Sequence, residues 1–207
     1  MPTARTRERR LAAEDWEDAA LAALASGGVE AVAIEPLAKQ LGVTKGSGYW
    51  HFAGRDDLLR RALLRWEQRN TEAVIEALAR IADPRQRLED LFRRTMRPPR
   101  GASLYTALFA AVAHPVVGPV LARVSARRIE YLEQCFRELG LPPEAARHRA
   151  LLVYATYVGL LHLGREAPGE LPHGAAASRL SRRLNDLLLG VADGSTSGEQ
   201  QSSASRR

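Results

Sequence analysis

The chain has little of what secreted, membrane-bound or catalytic proteins usually carry. Its one cysteine, Cys135, rules out a disulfide within the chain, and a lone cysteine inside a helical pattern reads as a small buried hydrophobe. The longest mostly apolar stretch, Leu151 to Gly164, is shorter than a bilayer requires and contains Tyr154, Tyr157 and His162, so no membrane partner is expected. Arg5, Arg7, Arg9 and Arg10 are not followed by an apolar run, so they do not begin a signal peptide, and a cytoplasmic location follows by elimination. Gly-rich phosphate loops, H-E-x-x-H, paired cysteines and a nucleophile elbow are missing. His51, His114, His148, His162 and His173 show no metal-ligand spacing on a shared face. The expectation is a protein that is not an enzyme and holds neither a metal nor another cofactor.

Sustained alternation of β-branched and polar residues is also missing, while Ala, Leu, Arg and Glu dominate between Pro and Gly breaks. The fold class is therefore all-α. A first helix is predicted over residues 11–25, where Trp16, Ala19, Ala20, Ala23 and Leu24 share one stripe, and it ends at Ser26-Gly27-Gly28. Short helices follow over 35–41, with Pro36 in the first turn, and over 45–51, with Thr44 as the expected cap. Gly42 between them suits a left-handed turn. A long helix is predicted from Arg55 to Ala79. Further helices are expected over 83–96, 103–113, 120–139, 144–163 and 175–189, and residues 192–207 form a Ser-rich polar tail expected to be disordered.

Two short helices joined by a tight Gly turn behind a longer helix make a helix-turn-helix, with Trp16, Leu24, Leu37, Leu41 and Phe52 as its expected core. The formal net charge of +6 favours a polyanionic partner only weakly, but its distribution is more telling. No Asp or Glu occurs between Lys39 and Arg55, as suits a surface that approaches phosphates.

The run Leu37-Ala38-Lys39-Gln40-Leu41-Gly42-Val43-Thr44-Lys45-Gly46-Ser47-Gly48-Tyr49-Trp50-His51-Phe52, followed by Arg55-Asp56-Asp57-Leu58-Leu59, resembles the signature of the TetR family of bacterial transcriptional regulators. The resemblance covers residues 10–60. It implies an N-terminal three-helix DNA-binding domain with a basic arm (1–54), then a larger helical effector-binding and dimerisation bundle (55–191) and the tail (192–207). Lys45, Gly46 and Ser47 would face base edges or nearby phosphates. Tyr49, Trp50 and His51 would press on the backbone, Arg55 would pair with phosphate, and Lys39 would touch the backbone from the helix before. The arginines before residue 11 resemble flexible arms that reach along DNA.

The sequence departs from that family's pattern at two places. Gly48 stands where relatives usually carry a Leu or Phe that plugs the recognition helix into the core. The expectation is a soft helix, which Gly48→Phe would stabilise. Ala33 stands where a capping Ser or Thr is common, leaving a helix N–H without its usual acceptor.

Beyond Arg80 no motif is matched. By resemblance the last two long helices pair with those of a second copy, through Leu151, Val158, Leu161, Leu180, Leu184, Leu187 and Leu188. The partners implied are double-stranded DNA with a palindromic operator, a second copy in a homodimer, and a small hydrophobic or amphipathic effector. Its pocket is expected among Trp66, Phe92, Met96, Tyr105, Phe109, Tyr131 and Tyr154, with His114 and His162 as polar groups. The implied action is that of a repressor which the effector releases. A helical protein–protein module would also account for the amphipathic helices, but not for the acid-free window or the Tyr-Trp-His-Phe run.

Overall fold

In the computed structural model, which describes residues 11–95 and 102–190, regular structure is helical throughout. The basic arm, Met96 and the Ser-rich tail lie outside those residues. Helix α1 spans Ala13–Gly27, α2 Ile34–Leu41 and α3 Lys45–His51. Helix α4, Arg55–Glu67, passes through a π-helical turn, Gln68–Glu72, into α5, Ala73–Ala79. The expected helix from Arg55 to Ala79 is thus continuous, with one wider turn inside it. Then come α6 (Pro84–Thr95), α7 (Ala102–Ala110), α8 (Val117–Glu138), α9 (Pro143–Glu166) and α10 (Gly174–Leu189). Helix α8 starts before the residue expected, because Pro119 falls in its first turn, where no N–H is needed.

Local chemistry sets the ends. Gly28 and Gly42 adopt φ of 73° and 71°, the left-handed region that reverses the chain after α1 and α2. Ala33 precedes α2 with no side-chain cap, as its methyl dictates. Thr44 also makes no side-chain cap, contrary to expectation. Its backbone carbonyl accepts from Ser47 N at 3.0 Å instead.

Two apolar clusters hold the helices. The first runs from Trp16, Leu24, Leu37 and Phe52 through Leu58, Leu59 and Leu63 to Trp66, Tyr105 and Val124. Leu41, expected in this core, packs at its edge. The second gathers Leu78, Leu88, Phe92, Leu132, Phe136, Val153 and Leu189, with Cys135 fully buried among them. Helix α1 packs on α4 and α7, α8 lies along α9, and α10 rests on α6 and α9. Arg149 of α9 ties down the end of α10 by donating to the carbonyls of Leu187, Leu188 and Gly190 at 3.3, 3.1 and 2.8 Å. No helix of the described residues is long and apolar enough to cross a membrane.

Candidate nucleic-acid interface

Helix α3 has one face built into the domain and one turned away. Trp16 is fully buried and meets Phe52 edge to face at a centroid distance of 6.4 Å. Gly48 lies directly over that indole. A Cβ placed there would stand 2.6 Å from Ile34 Cγ2 and 2.8 Å from Trp16 Cη2. The expectation of a missing plug is therefore corrected: the space a larger residue at 48 would fill is already filled from α1, and only glycine fits.

On the other face, Lys45, Gly46, Tyr49 and Trp50 are exposed. Tyr49 and Trp50 are 54% and 72% exposed, so neither is a core aromatic. Ser47 is half-buried on the flank, and Lys39 projects from α2. Lysine and two exposed aromatic side chains on a narrow helix are suited to phosphate and sugar contact.

Three of the expected contacts are modified by their neighbours. Lys45 Nζ donates to Glu35 Oε1 at 3.0 Å, and that bond raises the lysine above its usual range. The acid-free window in sequence therefore has an acid beside it in space. Both partners are largely exposed, so water competes and the pair is readily exchanged for a phosphate. The His51 ring is half-buried, with Nε2 3.1 Å from Leu11 O and Trp50 edge-on to it, so it braces the chain entering α1.

Arg55 is the clearest correction. Its Nε donates to Val32 O at 2.8 Å, and its Nη2 donates to Val29 O at 2.9 Å and Glu30 Oε2 at 3.1 Å. The guanidinium satisfies the carbonyls of the turn between α1 and α2 rather than reaching for phosphate. Arg55→Ala is expected to lose about 1–2 kcal/mol of stability, because Val32 O is left without a donor while Val29 O keeps only the N–H of Val32, and the salt slope of DNA binding stays unchanged. Urea unfolding and binding at several salt concentrations check this.

Ion pairs lock α1 to the helix that follows α3. Arg65 reaches Asp18 at 2.9 Å and Glu14 at 3.2 Å, Arg69 reaches Asp18 at 2.6 Å, and Arg61 reaches Glu17 at 3.4 Å. Burial alone would raise the Asp18 carboxyl, but hydrogen bonds from Arg65 and Arg69 outweigh it and hold the group low. Glu17 is raised, because its burial outweighs the pull of Arg61 and Arg65. The signs oppose. Asp18 stabilises the fold above about pH 4 and loses that as acid protonates it, whereas Glu17 favours the fold most when protonated.

Behind this domain, α4, the π turn, α5, α6, α7, α8 and α9 surround a cavity of about 250 Å³. Trp66, Phe92, Tyr105, Tyr131 and Tyr154 line it. Phe109 stands outside, edge to face with Tyr105 at a centroid distance of 5.0 Å, because its position on α7 faces outward. His162 is exposed and pairs with Glu166 at 3.1 Å, and His114 holds the backbone N–H of Val116 at 3.2 Å, so neither lines the cavity. Leu161, expected to face a second copy, is buried and lines the cavity instead.

Sequence reasoning missed Arg128, Asn70, Thr71 and Tyr157 in that wall. A signal for Arg128 existed. The buried stripe of α8 runs Val117, Val120, Leu121, Val124, Tyr131, Leu132, Cys135 and Phe136, and position 128 falls in its register. A charged residue at a stripe position marks a polar feature inside the bundle.

Residues 18–62 match the model of the bacterial regulatory proteins of the tetR family. Among curated proteins no sequence matches the chain. Among solved structures, a transcriptional regulator from Rhodococcus sp. Rha1 is 22% identical, with a TM-score of 0.69 over 87% of this chain and 97% of that one. A TetR-family transcriptional regulator from Agrobacterium tumefaciens is 18% identical, with a TM-score of 0.67 over 84% and 96% of the two chains. A protein described as a transcriptional regulator from Saccharomonospora viridis, solved in complex with choline, is 21% identical, with a TM-score of 0.70 over 86% and 95%. Residues 18–62 thus form a helix-turn-helix of the tetR type, and the chain shares its fold almost end to end with these regulators.

Proposed function

We propose that the protein is a repressor that binds a palindromic operator as a homodimer in the cytoplasm and lets go when a small molecule fills the central cavity. The observation that carries this reading is one helix. Arg55 to Ala79 begins directly after α3, packs Leu58, Leu59 and Leu63 into the core of the reading domain, and lines the cavity with Trp66, Asn70 and Thr71. A ligand that widens the cavity pushes on the same rod that supports the recognition helix. An effector releases DNA only by binding the non-operator spacing better, and a shared helix supplies that differential contact. The choline held by the Saccharomonospora protein supports a small-ligand seat in this fold. Residues 1–54 act as the reading unit and 55–191 as the sensing and pairing unit, a binding protein with no catalytic role.

The test is fluorescence anisotropy with DNA from upstream of the protein's own gene. Specific binding that weakens steeply with salt and falls about 100-fold in Lys45→Ala/Tyr49→Ala supports the reading. Binding no tighter than to random DNA from that region and from operators selected out of a random pool overturns it.

A further inference from the structure

The cavity has a chemical bias that its apolar lining partly conceals. Arg128 enters it from α8. Its Nε donates to Thr71 Oγ1 at 3.0 Å and an Nη donates to Asn70 O at 3.1 Å, both on the π turn. These partners are neutral. Among the described residues no carboxylate pairs with Arg128, and none lines the cavity. The other arginine in the wall, Arg94, is already bonded to Asp90 at 2.7 Å. A half-buried guanidinium without a counter-charge is an unusual arrangement, since charges taken from water are ordinarily paired.

Neutral donors stand beside it. Tyr105 Oη and Tyr154 Oη are 2.6 Å apart, and Ser125 Oγ is 2.9 Å from Tyr154 Oη. Two hydrogen bonds among three hydroxyls use two of their three protons, so one remains for an outside acceptor. The Tyr131 hydroxyl is not one of these donors, since it is fully buried beside the Cys135 thiol. Burial pushes Tyr105 well above the usual phenol range and raises Tyr157, so these hydroxyls keep their protons.

The aromatic walls are not free to cage a cation. The Arg128 guanidinium lies 5.7 Å from the Trp66 ring centroid and 5.3 Å from that of Tyr105, the positions a quaternary ammonium would occupy. A cationic ligand would meet a like charge already seated there. As for size, an apolar cavity of about 150 Å³ takes benzene, so about 250 Å³ has room for a ring with a short chain, or for a medium-length alkyl chain.

From these observations we propose that the cavity takes a monocarboxylate with an apolar body, its carboxylate paired with Arg128 and hydrogen-bonded by the tyrosine hydroxyls. This rests on the reading of the cavity as the effector seat. The pairing pulls on Asn70 and Thr71, to which Arg128 donates. The ligand thereby acts on the π turn, where the helix from α3 is most easily reshaped.

Calorimetric titration of the full chain with octanoate and 4-phenylbutyrate, against 1-octanol and choline, tests the proposal without DNA. The acids are expected to bind at least about tenfold tighter than 1-octanol and choline. Arg128→Met should erase that preference while leaving 1-octanol unchanged, and Arg128→Lys should keep part of it. If Arg128→Met does not fold, Tyr154→Phe should still weaken the acids several-fold and spare 1-octanol. An alcohol that binds as tightly as its acid, choline binding tighter than either, or acids that fail to bind at millimolar concentration each overturn the proposal. Adding the same probes to the operator complex separates the two readings. Acids that bind without releasing DNA refute effector release alone. Release by 1-octanol or choline, but not by the acids, refutes the carboxylate seat alone.

Discussion

Gly48→Phe is expected to lower the stability of the protein by about 3 kcal/mol or more and to abolish operator binding. Added atoms in a well-packed core cost about 1–3 kcal/mol through strained rotamers and backbone shifts. Here even the first added carbon lies 2.6 Å from Ile34 Cγ2 and 2.8 Å from Trp16 Cη2, inside any tolerable contact. The six-membered edge of a fully buried indole cannot move aside, because Phe52 stands against it. A chain of this size loses about 2–4 °C in Tm per kcal/mol, so a fall near 10 °C is anticipated. Helix α3 would be pushed outward together with Tyr49 and Trp50, and the operator contacts would be lost with it. The compensating variant is specific. Trp16→Ala/Gly48→Phe vacates the indole volume for the new ring and should be more stable than Gly48→Phe alone, a coupling expected only of residues that share a space. Thermal unfolding of the wild type, both single variants and the double variant decides it. Wild-type stability in Gly48→Phe would show that the indole is not the plug.

That case shows where sequence reasoning fails. The helices of this protein are legible to within about three residues, because Gly28, Gly42 and Pro36, Pro84, Pro119 and Pro143 punctuate a helical apolar periodicity. The helix-turn-helix was legible for the same reason. Gly48 was misjudged because one position was considered without its partner: a tryptophan thirty-two residues earlier in the chain supplies the volume that glycine lacks. Arg55 was misjudged likewise. A basic residue at a helix start suits phosphate equally well as it suits the carbonyls of Val29 and Val32, and only the fold of the preceding turn decides between them. In the cavity, aromatic type was a fair guide for Trp66 and Tyr105, but not for Phe109, whose side of α7 periodicity left open in so short and uniformly apolar a helix. Arg128 is a charged residue at a stripe position of α8, where residue type suggests surface but periodicity points inward.

Leu152→Glu/Leu187→Glu is expected to yield a folded monomer that has lost at least about 100-fold in operator affinity. Leu152 of α9 and Leu187 of α10 are 59% and 72% exposed in the single chain, and Leu151 and Leu163 extend the same apolar surface. Large leucines left in water along two neighbouring helices mark a surface that a partner covers. Val158, Leu180 and Leu184 are half-buried around it, while Leu188 turns inward against the second cluster and Leu161 serves the cavity. The bonds from Arg149 to the last carbonyls of α10 hold the two helices in one register, so they present a single face. Two glutamates in a symmetric interface become four, without counter-ions and largely desolvated, and carboxylates in that setting oppose association strongly. Both leucines lie mostly in water within the chain, so its helicity should be unchanged by circular dichroism. If the proposed homodimer grips a palindrome, operator affinity should collapse, because the interface would set the separation of its two reading heads. Sedimentation equilibrium beside anisotropy gives the outcome. A variant that remains dimeric would move the interface away from α9 and α10, and a monomer that kept full affinity would show that one α3 per operator suffices.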